Sequence, residues 1–190
     1  MTSITIYDGA TTIGGSKIFV EENGNGVFLD FGKNFKKYGM FYQEYLSDRS
    51  SRGIHDLLLL NLIPKIQNYR ADLIPSDLDI SSFPKLNIDA VLLSHAHQDH
   101  FGNIGLLDPN IPIVASPITL VLLKGILDTT RSDIHLEVAY YSEKSAIDDM
   151  ERILRAKRQN YTCRNFHATL KCSNELHEFM RQQAKKTKCI

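Results

Sequence analysis

The chain has 190 residues, enough for one well-buried core, and a single domain is the natural expectation. Its 43% hydrophobic and 23% charged content is that of an ordinary globular protein, and no apolar run approaches the length that spans a bilayer. The formal net charge of zero hides an asymmetry: of 22 basic and 22 acidic residues, ten and three respectively fall from Glu151 onward. A basic segment of this kind is a phosphate-binding surface or a solvated helical face, and the lack of interleaved aromatics favours the solvated face. The start, Met-Thr-Ser-Ile-Thr, lacks the basic and apolar regions of a signal peptide. Three cysteines without paired spacing fit a reducing compartment, so a cytoplasmic location is expected.

Ser3–Tyr7 alternates as a strand, and Asp8-Gly9 and Gly14-Gly15 punctuate the turns after it. Lys17–Glu22 and Val27–Asp30 follow as two strands around Asn23-Gly24-Asn25-Gly26, whose Asn-Gly pairs favour the positive φ of a hairpin turn. Asp30-Phe31-Gly32 resembles a kinase triplet, but no other kinase element accompanies it. Phe35, Tyr38, Phe41, Tyr42 and Tyr45 stand near helical spacing and read as a core stripe. Leu57–Ile63 reads as helix up to Pro64, with His55 as a surface histidine before it. Asp72–Pro84 is loop. It leads to a buried strand at Ile88–Leu93, and a second follows at Ile113–Ala115, with a short helix over Asn103–Leu107 between them. Ser116 and Pro117 fit the N-cap and first position of an apolar helix running to about Leu127. Glu137–Tyr141 reads as a last strand. Ile147, Met150, Ile153 and Leu154 fall at helical spacing, and a final helix is expected over Glu175–Lys186, starting near Ser173. The order is that of an α/β (α+β) fold, with residues 1–145 as the N-terminal part of a domain and 146–190 as a basic helical segment that continues the domain or is an insertion.

The stretch that carries chemistry is Ser94-His95-Ala96-His97-Gln98-Asp99-His100-Phe101-Gly102-Asn103. Three of the chain's seven histidines and one carboxylate fall within six residues, at the end of a buried strand. Imidazole and carboxylate together suit zinc, and less selectively manganese or iron. His95 and His97 reach one side of a common ion, and Asp99 and His100 point toward a second position. Gly102 lets the chain turn where a side chain would obstruct it. A solvated His-rich turn is the bland alternative, and this density of donors at a strand end disfavours it. Cys163, His167, Cys172 and His177 offer a weaker grouping, without the close cysteine pair of a small zinc module.

Val91-Leu92-Leu93-Ser94-His95-Ala96-His97-Gln98-Asp99-His100-Phe101-Gly102 closely resembles the signature of the metallo-β-lactamase-fold hydrolases. From about Ile4 to Leu127 the chain looks most like the ribonuclease J (β-CASP) type of nuclease within that superfamily. The resemblance implies a metallo-β-lactamase-like αββα sandwich, incomplete in this chain, whose uncovered sheet face would favour a homodimer. It implies that His95 and His97 bind a first metal and Asp99 and His100 a second. Asp99 would also orient or deprotonate the attacking water, as the catalytic residue. Two Zn2+ ions are expected in a complete site, with Mn2+ as the alternative. Asp30 would lie beneath the site and orient a histidine or water, an ordinary turn aspartate being the alternative.

The family completes its site with a histidine, a bridging aspartate and a last histidine. Phe166-His167-Ala168-Thr169 makes His167 the best local candidate for a third ligand, and no convincing bridging aspartate follows it. Ribonuclease J-type proteins also carry a second nuclease domain, for which this chain has no room. The implied function is a metal-dependent ribonuclease or nuclease-like phosphodiesterase acting through a metal-bound hydroxide, with RNA or another phosphodiester as partner and no membrane. A hydrolase of a small thioester, lactone or phosphodiester is the alternative within the same fold. A truncated metal- or nucleic-acid-binding module without turnover is the non-enzyme alternative.

Overall fold

A computed structural model describes residues 1–43, 45–130, 133–157, 161–170 and 174–182. The alternating N-terminal segments become β1 (Thr2–Asp8), β2 (Lys17–Glu22) and β3 (Asn25–Leu29), antiparallel in sequence order. Asn23 and Gly24 join β2 to β3 at φ 52° and 86°, the backbone region that a tight hairpin turn demands. Helix α1 (Phe35–Gly39) is capped by Asn34, whose Oδ1 accepts the Lys37 N–H at 3.1 Å. α2 (His55–Leu59), β4 (Ile88–Leu92), α3 (Gln98–Phe101) and β5 (Ile113–Ala115) follow. α4 (Pro117–Thr129) opens as its sequence indicates: Pro117 is in the first turn and the Ser116 Oγ accepts the Thr119 N–H at 3.1 Å. β6 (Tyr140–Tyr141), β7 (Lys144–Ala146), β8 (Leu154–Ala156), β9 (Thr162–Cys163), β10 (Phe166–Ala168) and α5 (Asn174–Arg181) complete the order.

Six strands form one sheet in the order β1-β2-β3-β4-β5-β10, parallel from β3 onward. This is the mixed α/β class expected, and β10, beyond residue 145, is part of the main sheet. Register decides which residues share a face. Phe19, Phe28, Val91 and Ile113 line up across β2 to β5, and all four are buried. The Phe28 ring lies 5.0 Å from that of Phe19, tilted, and 5.0 Å from that of Phe31, near-perpendicular. Leu57, Ile66, Phe101, Ile104 and Leu123 close the same cluster. Each such side chain contributes roughly 1.5–3 kcal/mol on burial. The other face carries an unbroken row, Ile6, Ile18, Leu29, Leu92, Val114 and His167, across all six strands. Ile6 is 54% exposed, Leu29 38% and Leu92 37%. Among the described residues this apolar face is open.

Four expectations need correction. The aromatic stripe is core only at Tyr38; Phe35 opens α1 on its exposed side, and Phe41 and Tyr45 are exposed beyond the end of α1 at Gly39. The second helix ends at Leu59, well before Pro64, where Asn61 takes a positive φ of 54°. Ile147–Leu154 is not helical. Asp148 turns the chain between β7 and β8 by accepting the Ile153 N–H on Oδ1 at 2.7 Å, and leaves Ile147 and Met150 exposed. The ends of the last expected helix, Ser173 and Lys186, lie outside the described residues, as does Cys172. Cys163 is disulfide-bonded, against the expectation of cysteines in a reducing compartment. No helix among the described residues is long and apolar enough to cross a membrane.

Candidate functional site

β4 delivers the chain to the site. Leu93 is the last buried residue, and Ser94–His97 then lead into α3, which carries Asp99 in its first turn and His100 in its last. Backbone donors from two other loops pin this turn. Gly15 N–H donates to Asp99 O at 2.9 Å, Phe31 N–H to His100 O at 2.8 Å and Lys33 N–H to Gln98 O at 2.9 Å. The fit is close. A Cβ on Gly32 would lie 1.7 Å from Asp99 O, and one on Gly14 would lie 2.5 Å from Asp99 Oδ2. Gly102 ends α3 at φ −64°, and Gln98 O, 2.4 Å from an added Cβ, excludes a side chain there.

Asp30 holds the site from below. It sits at φ +58°, a region that Asp tolerates better than most residues. Its Oδ1 accepts the Ser94 N–H at 2.8 Å, both oxygens lie 2.9 Å from Ser94 Oγ, and Oδ2 lies 2.7 Å from His100 Nδ1. A carboxylate on Nδ1 assigns the proton to that nitrogen and leaves Nε2 as the free lone pair. His100 Nε2 faces Asp99 Oδ2 at 3.5 Å. The His95 ring lies 4.0 Å from that of His100 and 4.6 Å from that of His97, centroid to centroid. The structure therefore brings His95, His97, Asp99, His100 and Asp30 together. As the side chains stand, no three His, Cys, Asp or Glu among the described residues converge closely enough to hold an ion.

His167 stands elsewhere. It is exposed on β10, level with Val114 and, one strand further, with Leu92. Two interstrand spacings, about 10 Å, separate it from β4. His135 is fully buried. Its Nε2 meets Asp48 Oδ2 at 2.5 Å and its Nδ1 meets Asn103 Oδ1 at 3.0 Å. Burial works against the Asp48 charge, but the His135 contact outweighs it and holds the carboxyl below its usual range. His55 opens α2 and pairs with Asp56 at 3.1 Å.

Sequence reasoning gave no role to the groups that brace the Gly14-Gly15 loop. Asp8 accepts from Lys37 Nζ and from Asn34 Nδ2, both at 2.9 Å, and lies 3.6 Å from the fully buried Lys17 Nζ. Burial, with Lys37 adding repulsion against the pull of Asp8, lowers the Lys17 ammonium to about 8. A lysine and an aspartate flanking a Gly-Gly turn were the available signal, and a weak one.

Residues 63–127 match the family model described as the metallo-beta-lactamase superfamily. That match covers about a third of the chain. Among curated proteins, Ribonuclease J of Sinorhizobium meliloti is 34% identical over 71 residues, which are 35% of this chain and 13% of that protein. Ribonuclease J 1 of Streptococcus pyogenes is 32% identical over 124 residues, 60% of this chain and 20% of that protein. The chain thus spans a fifth or less of the length of these relatives. A crystal structure of a protein of unknown function from Enterococcus faecalis V583 aligns over 87% of this chain and 44% of its own, with TM-score 0.50 and 21% identity. That likeness concerns the fold alone.

Proposed function

We propose that the protein is a metal-dependent hydrolase that cleaves RNA phosphodiesters, with His95, His97, Asp99 and His100 as the ligands. The observation that carries this reading is the Asp30–His100 pair at 2.7 Å. A carboxylate on the far nitrogen of a histidine is the usual support for a metal ligand, and here it leaves Nε2 facing Asp99. The donor set fits zinc, or manganese as the alternative. His97 is exposed and His95 half-buried, so both have room to turn toward a common ion. Once bound, a divalent ion supplies Lewis acidity and brings the pKa of a water toward about 7.

The chain's own residues do the rest. Asp30 fixes the ring of His100, and the Gly15 N–H fixes the backbone beneath Asp99. The Asp99 carboxylate is then placed to orient the attacking water and take its proton. RNA as the substrate rests on the ribonuclease J relatives. A second ion needs donors beyond these four, and the position of His167 argues against that residue. The test joins metal content per chain to hydrolysis of single-stranded RNA by the full-length protein. Metal binding with RNA cleavage that drops at least about a hundredfold in Asp99→Ala is the expected result. Tight metal binding with intact RNA would overturn the nuclease assignment, and a metal-free protein would overturn the whole reading.

A further inference from the structure

Residues 9–16, between β1 and β2, form the loop that meets the ligand turn at Asp99. The Gly15 N–H donates to Asp99 O at 2.9 Å, and Gly14 lies against the Asp99 carboxylate itself. Both glycines take a positive φ, +77° and +78°, and side chains around the loop fix that conformation. Thr12 Oγ1 donates to Gly14 O at 3.1 Å, the carbonyl of the same peptide whose N–H bonds to Asp99. Lys17 Nζ, fully buried, donates to Gly15 O at 3.4 Å.

The bonds behind Thr12 have one possible direction. Asn34 Oδ1 accepts the Lys37 N–H as the cap of α1, so its Nδ2 is the group that faces Asp8 and Thr12. Nδ2 donates to Asp8 Oδ1 at 2.9 Å and to Thr12 Oγ1 at 3.0 Å. The Thr12 hydroxyl, already accepting, has its one proton left for Gly14 O. A peptide whose carbonyl accepts is polarised to donate more strongly through its N–H, and that N–H meets Asp99. Asp8 anchors the far end. It also accepts from Gly9 N–H at 3.0 Å and Lys37 Nζ at 2.9 Å, with Lys17 Nζ 3.6 Å away. Burial works against the Asp8 charge, but the contacts with Lys37, Lys17 and Asn34 outweigh it and hold the carboxyl below its usual range.

We propose that Asp8 is a positioning residue for the Asp99 carboxylate, acting through Asn34, Thr12 and the Gly14–Gly15 peptide. The catalytic use of that carboxylate rests on the hydrolase reading above; the link from Asp8 does not. Asp30 fixes His100 by direct contact, whereas the Asp99 carboxylate has no direct hydrogen bond among the described residues. Its ion-pair partner, His100 Nε2, lies 3.5 Å away. Its placement therefore depends on its own backbone and on Gly14, and both are set by the loop that Asp8 anchors.

The experiment follows two NMR reporters in the 190-residue chain without metal: exchange of the Gly15 amide, and the carboxyl carbon resonance of Asp99 at fixed pH. Thr12→Val keeps the shape and removes the hydroxyl. It should speed Gly15 exchange about two- to tenfold, the scale of one neutral hydrogen bond, and move the Asp99 resonance. Asp8→Asn should act in the same sense, about ten- to a hundredfold, because charged bonds are stronger. Thr12→Ser keeps the hydroxyl and should match wild type in both reporters. Thr12 is half-buried in a loop, so its two variants carry the test even if Asp8→Asn fails to fold. With metal and single-stranded RNA, kcat should fall in the same order while KM holds. Moved reporters with RNA left intact by wild type would fail the nuclease reading and uphold the positioning. An Asp99 resonance that stays put in Thr12→Val, a Thr12→Ser that behaves like Thr12→Val, or a kcat that holds when both reporters move would overturn the proposal.

Discussion

Asp30→Asn separates the support of a metal site from the stability of the fold. The substitution is isosteric, and Asn tolerates the +58° φ at this position as well as Asp does. One amide oxygen can still accept the Ser94 N–H, now made at 2.8 Å. The amide nitrogen then replaces Oδ2, 2.7 Å from His100 Nδ1, and presents a donor where the carboxylate was an acceptor. His100 must move its proton to Nε2 or lose the contact. The reverse flip restores His100 but sets an N–H against the Ser94 N–H. Either way one charge-assisted bond is lost, worth about 1.5–3 kcal/mol. Urea unfolding should register about this loss, with the chain still folded. Metal affinity, measured by competition with a chromophoric chelator, should fall about 10–100-fold, as expected when a partner of a ligating histidine is removed. Nitrogen shifts of His100 should report the tautomer change directly. Unchanged metal affinity with a changed tautomer would refute the claim that His100 binds through Nε2.

Gly32→Ala should prevent α3 from docking, since its Cβ would sit 1.7 Å from Asp99 O; a melting temperature within a few degrees of wild type would contradict this. The folded-state depression of Lys17 to about 8 gives a definite sign. Above that pH the unfolded chain holds a proton the folded chain has released, so stability should rise from about pH 8 toward pH 10, by at most roughly 3 kcal/mol. Tyr38 and Tyr69, held well above 10 by burial, should reverse the trend at higher pH. Lys17→Met should flatten the rise; a flat wild-type urea midpoint across that window would count against a buried Lys17. The open row of Ile6, Leu29 and Leu92 should make the 190-residue chain self-associate, which analytical ultracentrifugation can follow. The pair Ile6→Lys and Leu92→Lys should abolish association, and a wild type that stays monomeric at every accessible concentration would exclude this face as a homodimer surface.

The parts of the molecule legible in sequence are those that local chemistry determines. Alternation located β1 to β3, the apolar runs located β4 and β5, and the Ser116-Pro117 pair located the start of α4, because each signal acts within a few residues. The turn at 94–102 was legible for the same reason, since all its donors are neighbours in the chain. Asp30 was placed beneath the site only through the family resemblance, and the geometry now shows its contacts with Ser94 and His100. The region from Phe35 to Ile63 misled because aromatic spacing persists after α1 has ended at Gly39. The 147–154 segment misled because one side-chain bond from Asp148 outcompetes helical periodicity. Arg164 was hidden in a basic segment, and only tertiary packing, which leaves it 3% exposed, sets it apart from its solvated neighbours.

The open sheet face and the turn at 95–100 follow from one register. Side chains alternate with period two, so the pairing that buries Phe19, Phe28, Val91 and Ile113 must place Ile18, Leu29, Leu92 and Val114 on the other side. A one-residue slip would hide the second row only by exposing the first. It would also break the alignment of β3 with β4, in which Asp30 N–H bonds to Leu92 O at 3.1 Å. That bond sets Asp30 opposite the end of β4, where its carboxylate meets Ser94 and His100. The arrangement that supports the candidate metal ligands therefore also commits the sheet to an apolar second face. His167 stands on that face rather than at the ligands because it occupies the same alternate position as Leu92 and Val114.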